Sequence, residues 1–183
     1  MTHLHTARLA LRPLSEDDFD SVLELASDAR VMASLGGVRS AAQVRVWLDR
    51  ELVQWRTHGY CRNVVTLGDE RHRSLVGLVG ISRSDFDAGV VPGVEIAWQL
   101  AYDHWGKGFA TEAARRVLED AFTTHQLSEV IAVTSLHNHR SRRVMERLGM
   151  EHAPHDTFEH PHLTEGDPLR THVVYRSSNF KLG

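Results

Sequence analysis

The chain has 183 residues, 42% of them hydrophobic and 25% charged, which suits a single folded domain, 1–183, with a sizeable core. Its formal net charge of −3 provides no basic field for nucleic acid. A single cysteine, Cys61, permits no internal disulfide and points to a reducing, cytoplasmic setting, with no apolar run long enough to span a membrane and no signal-type start.

Taken in order, Arg8-Leu-Ala-Leu-Arg-Pro13 alternates apolar and polar residues and reads as a first strand. Ser15 caps a helix, with Asp18 three residues on, and the acidic first turn complements the helix dipole. Gly36-Gly37 break the chain. Ser40 and Gln43 then form a capping box for a helix that carries Val44, Trp47, Leu48, Leu52 and Trp55 and ends at Gly59. Its two tryptophans suit core packing or the wall of a substrate groove. Asn63–Leu67 and Leu75–Ile81 read as a hairpin around a polar turn at 68–74. Gly77 and Gly80 inside the second strand imply a bulge or a close backbone approach. A loop over 84–93 leads to a central strand, Val94–Leu100.

A turn holding Gly106 and Gly108 comes next, and it opens the clearest helix of the chain. Ala110, Ala113, Ala114, Val117, Leu118, Ala121 and Phe122 recur at helical spacing, with charged residues on the other face. The first amides of a helix lack internal partners and carry partial positive charge, so this turn is a candidate anion site. It fails as a P-loop, because Ala101 stands where the first glycine is needed and Gly108 follows Lys107. It matches a dinucleotide fingerprint only in part, because Thr111 replaces the third glycine. Val130–Thr134 is a buried strand that the intervening helix makes locally parallel to the central one. Asn138 starts another helix, with Ser141 on the same face and Gly149 as its stop. Two closing strands are expected around Met150–Phe158 and Arg170–Ser177, joined by a loop rich in proline and histidine. His152, His155, His160 and His162 crowd this region without metal-ligand spacing, so no metal is expected.

Gly106-Lys107-Gly108 resembles the pyrophosphate loop of the GCN5-related N-acetyltransferases (GNAT), Gln/Arg-x-x-Gly-x-Gly/Ala, with Asp103 departing at its first position. Trp105-Gly-Lys-Gly-Phe-Ala-Thr-Glu-Ala113 is similar to the RimJ/RimL-type ribosomal-protein N-terminal branch. The Arg8–Pro13 start, the Asn-x-x-Ser-(x)6-Leu-Gly-Met segment from Asn138 and the closing Val-Val-Tyr-Arg176 extend the likeness over nearly the whole chain. The resemblance implies an α/β (α+β) GNAT fold: a mixed, mainly antiparallel sheet of about six to seven strands, about four helices and a splayed central strand pair. It implies acetyl-coenzyme A as co-substrate and a primary amine as acceptor, either a protein N-terminus or a small amine.

Residue by residue, the amides of Gly106, Lys107, Gly108, Phe109, Ala110 and Thr111 would cradle the pyrophosphate. The backbone of Trp98, Gln99 and Leu100 would pair with the pantetheine arm. Lys107 and Arg142 would add charge, and Asn138 would orient the cofactor or a nearby backbone group. Glu95 is the expected base and Ser141 the expected acid. Met145 stands where many relatives place a proton-donating tyrosine, and it cannot donate. A non-catalytic acyl-coenzyme A sensor of the same fold and a dinucleotide-binding oxidoreductase are the rival readings. A monomer or homodimer fits equally.

Overall fold

Apolar alternation along the first half of the chain builds an antiparallel meander. It runs β1 (Leu4–His5), β2 (Leu9–Pro13), β3 (Arg62–Leu67), β4 (Leu75–Arg83) and β5 (Val94–Leu100), each pairing with the next. The computed structural model describes residues 3–68, 75–83 and 93–178. The turn expected at 68–74 and the loop expected at 84–93 therefore fall, apart from Gly68 and Gly93, outside the described residues. Gly77 and Gly80 have the role their position implied. A side chain on Gly77 would strike the backbone of Gln99 and Leu100, and one on Gly80 would strike that of Cys61 and Arg62. The β3–β4 register shifts between Val65 and Thr66, opposite Gly77, as at a bulge.

Helix α4 (Phe109–Thr123) carries the chain to β6 (Val130–Ser135), which lies parallel to β5. β9 (Thr171–Ser177) runs antiparallel to β6, and the short β7 (Glu151–His152) and β8 (Phe158–Glu159) add to β9. One strand was expected over Met150–Phe158. Instead a single turn at Pro154–Asp156 divides it, where Pro154 offers no N–H to a ladder. The described residues thus give a nine-stranded, mostly antiparallel sheet. It exceeds the expected six or seven strands because three of the nine have only two residues, too few for a periodic signal.

The remaining helices are α1 (Phe19–Ser27), α2 (Ala29–Met32), α3 (Ala41–His58) and α5 (His139–Arg147). α2 is a single turn that sequence periodicity does not reveal. α3 keeps its capping box: Gln43 N–H donates to Ser40 Oγ at 3.3 Å, and Ser40 N–H donates to Gln43 Oε1 at 2.9 Å. The first helix departs from expectation. Ser15 opens one 3₁₀ turn, Glu16–Asp18, and α1 begins only at Phe19. Asp18 is buried and accepts from both Arg12 and Ser15, so it clamps β2 to α1 as well as complementing a dipole. Burial raises its pKa, but the hydrogen bonds from Arg12 and Ser15 outweigh that and hold the carboxyl below its ordinary value.

The sheet separates two cores. Val65, Val79, Ile96, Val117, Leu118 and Met145 pack between sheet, α4 and α5. Val22, Leu25, Val44, Leu48, Val64 and Leu78 pack against α1 and α3 on the other face. Alternation along β5 puts Val94 and Ile96 in the first core, so Glu95 points to the opposite face, as the sequence implied.

Candidate functional site

β5 and β6 share one paired position, Glu95 opposite Ile131. Beyond it the strands part, and the edge of β5 from Ala97 onward has no ladder partner on the β6 side. A cavity of about 290 Å³ opens at the split. Glu95, Trp98 and Gln99 line it from β5, Thr134 and Ser135 from β6, and Ser141 and Met145 from α5. Arg39 and Trp47 close it from the α3 side. Buried main-chain groups in such a gap favour a ligand that pairs like a strand.

The glycine turn lies at the end of this edge. Gly106 has φ 74° and Gly108 φ 79°, a region where other L-residues are strained. Gly106, Lys107 and Gly108 are exposed, and space beside Gly106 is open. The first main-chain bond of α4 is Glu112 N–H to Gly108 C=O, at 3.0 Å. Among the described residues, the amides of 106–111 find no acceptor. Phe109 and Leu100 bury their side chains in the core, so only their backbones are available. The Leu100 carbonyl already accepts from Trp105 Nε1 at 2.8 Å, and Arg140 lies over the Trp105 ring at 4.7 Å. Arg8 braces the turn from outside, donating to the Lys107 carbonyl and pairing with Glu112. Gly108, Thr111, Arg115, Arg116 and Arg147 line an open depression alongside.

Glu95 sits at the vertex of the split. Burial raises its pKa above the ordinary glutamate value; Arg62 opposes that rise and Glu51 adds to it. Both belong to a row on the same face of the sheet. Arg62 pairs with the buried Glu51 at 3.1 Å and donates to Ser82 Oγ, and Ser82 is the β4 partner of Glu95. The Arg62 N–H also donates to Glu51, at 2.8 Å.

Across the cavity, Ser141 Oγ accepts from Trp98 Nε1 at 3.3 Å and from Asn138 Nδ2 at 3.2 Å. With two donors on its oxygen, its own hydrogen is directed to a third partner. Asn138 caps α5 by accepting from the Ser141 N–H, and it also donates to Thr134 Oγ1 at 2.9 Å. Met145 is 1% exposed and faces the cavity. Arg142 is engaged elsewhere: its guanidinium donates to the Leu136 carbonyl and to Tyr175 Oη, whereas Arg140, over Trp105, and Arg147, beside Gly108, are the α5 arginines near the glycine turn. Gln99 Nε2 contacts Met32 Sδ.

Of the paired tryptophans, Trp47 lines the cavity, and both pack on the α1–α3 core. His160 and His172 reach the cavity from the C-terminal segment, and burial lowers both pKa values. Among the described residues no three His, Cys, Asp or Glu side chains converge as a metal set. Burial pushes the Cys61 thiol up to about 12, out of the nucleophilic range. Sequence reading missed Arg39, Glu51, Arg62 and Ser135. They come from four separate segments: only the fold brings Arg39, Arg62 and Ser135 to one cavity and sets Glu51 behind Arg62.

Residues 8–151 match the model of the acetyltransferase (GNAT) domain. YkkB of Bacillus subtilis (strain 168) is 31% identical over 153 residues, 83% of this chain and 87% of that protein. The FsC-acetyl coenzyme A-N(2)-transacetylase of Aspergillus fumigatus is 30% identical over 173 residues, 85% of this chain and 66% of that one. Among solved structures, an acetyltransferase from Agrobacterium tumefaciens str. C58 superposes with TM-score 0.79 at 27% identity, covering 98% of this chain and 95% of that one. No helix of the described residues is long and apolar enough to cross a membrane.

Proposed function

The chain belongs to the GNAT acetyltransferases, and from that premise we propose that it moves the acetyl group of acetyl-coenzyme A to a primary amine by direct attack. Glu95 acts as base and Ser141 as acid. The observation that carries this reading is the split between β5 and β6, with Glu95 at its vertex and the hydroxyl of Ser141 facing the same cavity.

The free amides of 106–111 suit a diphosphate, because they supply donors and partial positive charge without a side chain in the way. The unpartnered edge at Trp98 and Gln99 suits the amides of a pantetheine arm. Arg140, Lys107 and the arginines near Thr111 would add charge for phosphates. The co-substrate supplies a thioester-activated acetyl group. Glu95, with its raised pKa, takes the proton an ammonium must lose before its nitrogen can attack, directly or through water. As the C–S bond breaks, Ser141 gives its proton to the thiolate. Trp98 and Asn138 stabilise the charge left on its oxygen.

Within the family we place the chain nearest the RimJ/RimL-type branch, on Trp105–Ala113 and on Ser141 serving where Met145 cannot. We read 1–183 as one domain. A thiol-release assay across protein N-terminal peptides and small amines tests the proposal, with Glu95→Gln as control. Tight acetyl-coenzyme A binding with no turnover on any amine would instead favour the sensor reading.

A further inference from the structure

Among the described residues, Arg39 lines the cavity as a cation without a counter-ion. Arg39 lies in the loop between α2 and α3, where its N–H is held by the Ala26 carbonyl at 3.0 Å, and it lines the cavity with Trp47 and Glu95. Its side chain is half-buried, yet among the described residues no carboxylate pairs with it. Four other arginines set into the fold do have one: Arg12 has Asp18, Arg62 has Glu51, Arg170 has Glu159 and Arg176 has Asp156, while Arg142 is held by the Leu136 carbonyl and Tyr175 Oη. Burial lowers its pKa, and the nearby cations Arg62 and Arg50 lower it further. A guanidinium in that setting costs free energy until an anion reaches it. Its planar fork matches a carboxylate through two parallel hydrogen bonds.

We infer that the acceptor is a small amine bearing a carboxylate, received by Arg39 while the amine reaches Glu95. This rests on the acetyl-transfer reading of the site and narrows its substrate class. The cavity volume, about 290 Å³, is at the lower edge of ligand pockets, roughly 300–1,000 Å³, which favours a compact acceptor. Leu35, Trp47 and Leu78 offer apolar surface for its body. A polyamine is disfavoured, because its second ammonium would meet Arg39 and Arg62.

The test sets each of the standard α-amino acids against its carboxamide in the thiol-release assay, with wild type, Arg39→Gln and Arg39→Lys. The acids should outpace their amides in wild type. Arg39→Gln should lower kcat/KM for the best acid by about 10- to 100-fold, leave its amide unchanged and carry the loss in KM. Arg39→Lys should restore part of it. Equal use of acid and amide by wild type, or an equal loss on both in Arg39→Gln, overturns the inference. Thiol release only on amines outside both series also overturns it. If acetyl-coenzyme A binds but no amine of either series or of the wider panel releases thiol, the transfer reading fails instead. Arg39 is then judged by calorimetric titration: acids binding more tightly than amides, with the difference lost in Arg39→Gln, support it, and equal or absent binding overturns it.

Discussion

The two sides of the candidate site are built on different principles. The side formed by the glycine turn and α5 works through contiguous segments: main-chain amides at 106–111 and a helix-start pair, Asn138 and Ser141, three residues apart. The side under α3 works through side chains gathered from afar: Arg39 from a loop and Arg62 from β3 line the cavity, and Glu51 from α3 and Ser82 from β4 hold Arg62 from behind. A ligand fragment that never varies can be held by backbone geometry. An acceptor must be discriminated by side chains, which can change without disturbing the fold.

The largest expected effect lies where the two sides meet. Glu95→Gln should lower kcat by about 10²- to 10⁴-fold, the range of a positioned general base. In wild type, kcat/KM should fall as pH drops through the raised Glu95 pKa, and this limb should vanish in the variant. Repeating the profile with an amine of different basicity should leave the limb in place. The same substitution should stabilise the protein. Because the folded pKa is raised, the favourable protonated state is fully present below the ordinary glutamate pKa and is lost as pH rises through the folded value. The melting temperature of Glu95→Gln should therefore exceed that of wild type at pH 8, and the gap should close in acid.

On the backbone side, Ser141→Ala should lower kcat by about 10²-fold, the lower range for proton transfer by a positioned group, with little change in acetyl-coenzyme A affinity. Gly106→Asp should weaken acetyl-coenzyme A binding by about tenfold relative to Gly106→Asn in calorimetry. Both residues tolerate the left-handed backbone, and only one adds negative charge to the turn. An equal loss in both variants would assign the effect to strain and break the contrast between the two sides. The smallest effect belongs to Trp98→Phe, which removes one donor from Ser141 Oγ and should reduce kcat by about two- to fivefold, less than a full neutral hydrogen bond.

The fold was readable wherever a pattern repeated over several residues: the α4 stripe, the β3–β4 hairpin and the capping box at Ser40. It was unreadable in two-residue strands and in α2, which tertiary pairing creates from segments too short to carry a period. In the candidate site, strand alternation gave the face of Glu95 and the helix start gave the place of Ser141, while their proposed roles as base and acid rest on the family resemblance as well. Arg142 was expected beside the phosphates, yet it turns to Leu136 and Tyr175, because helix numbering alone does not say which neighbour a long side chain will meet.

The sequence by itself determined the glycine turn, the strand and helix order around it and the face of β5 from which Glu95 projects, because each rests on residues close together in the chain. Only the tertiary structure decided that β5 and β6 part after a single pairing, that Glu51, Arg62 and Ser82 lie in a row beside Glu95, and that Arg39 faces the same space with no counter-ion among the described residues. Those relations join residues far apart in sequence, and they exist only after the sheet has set its register and the two cores have closed on it.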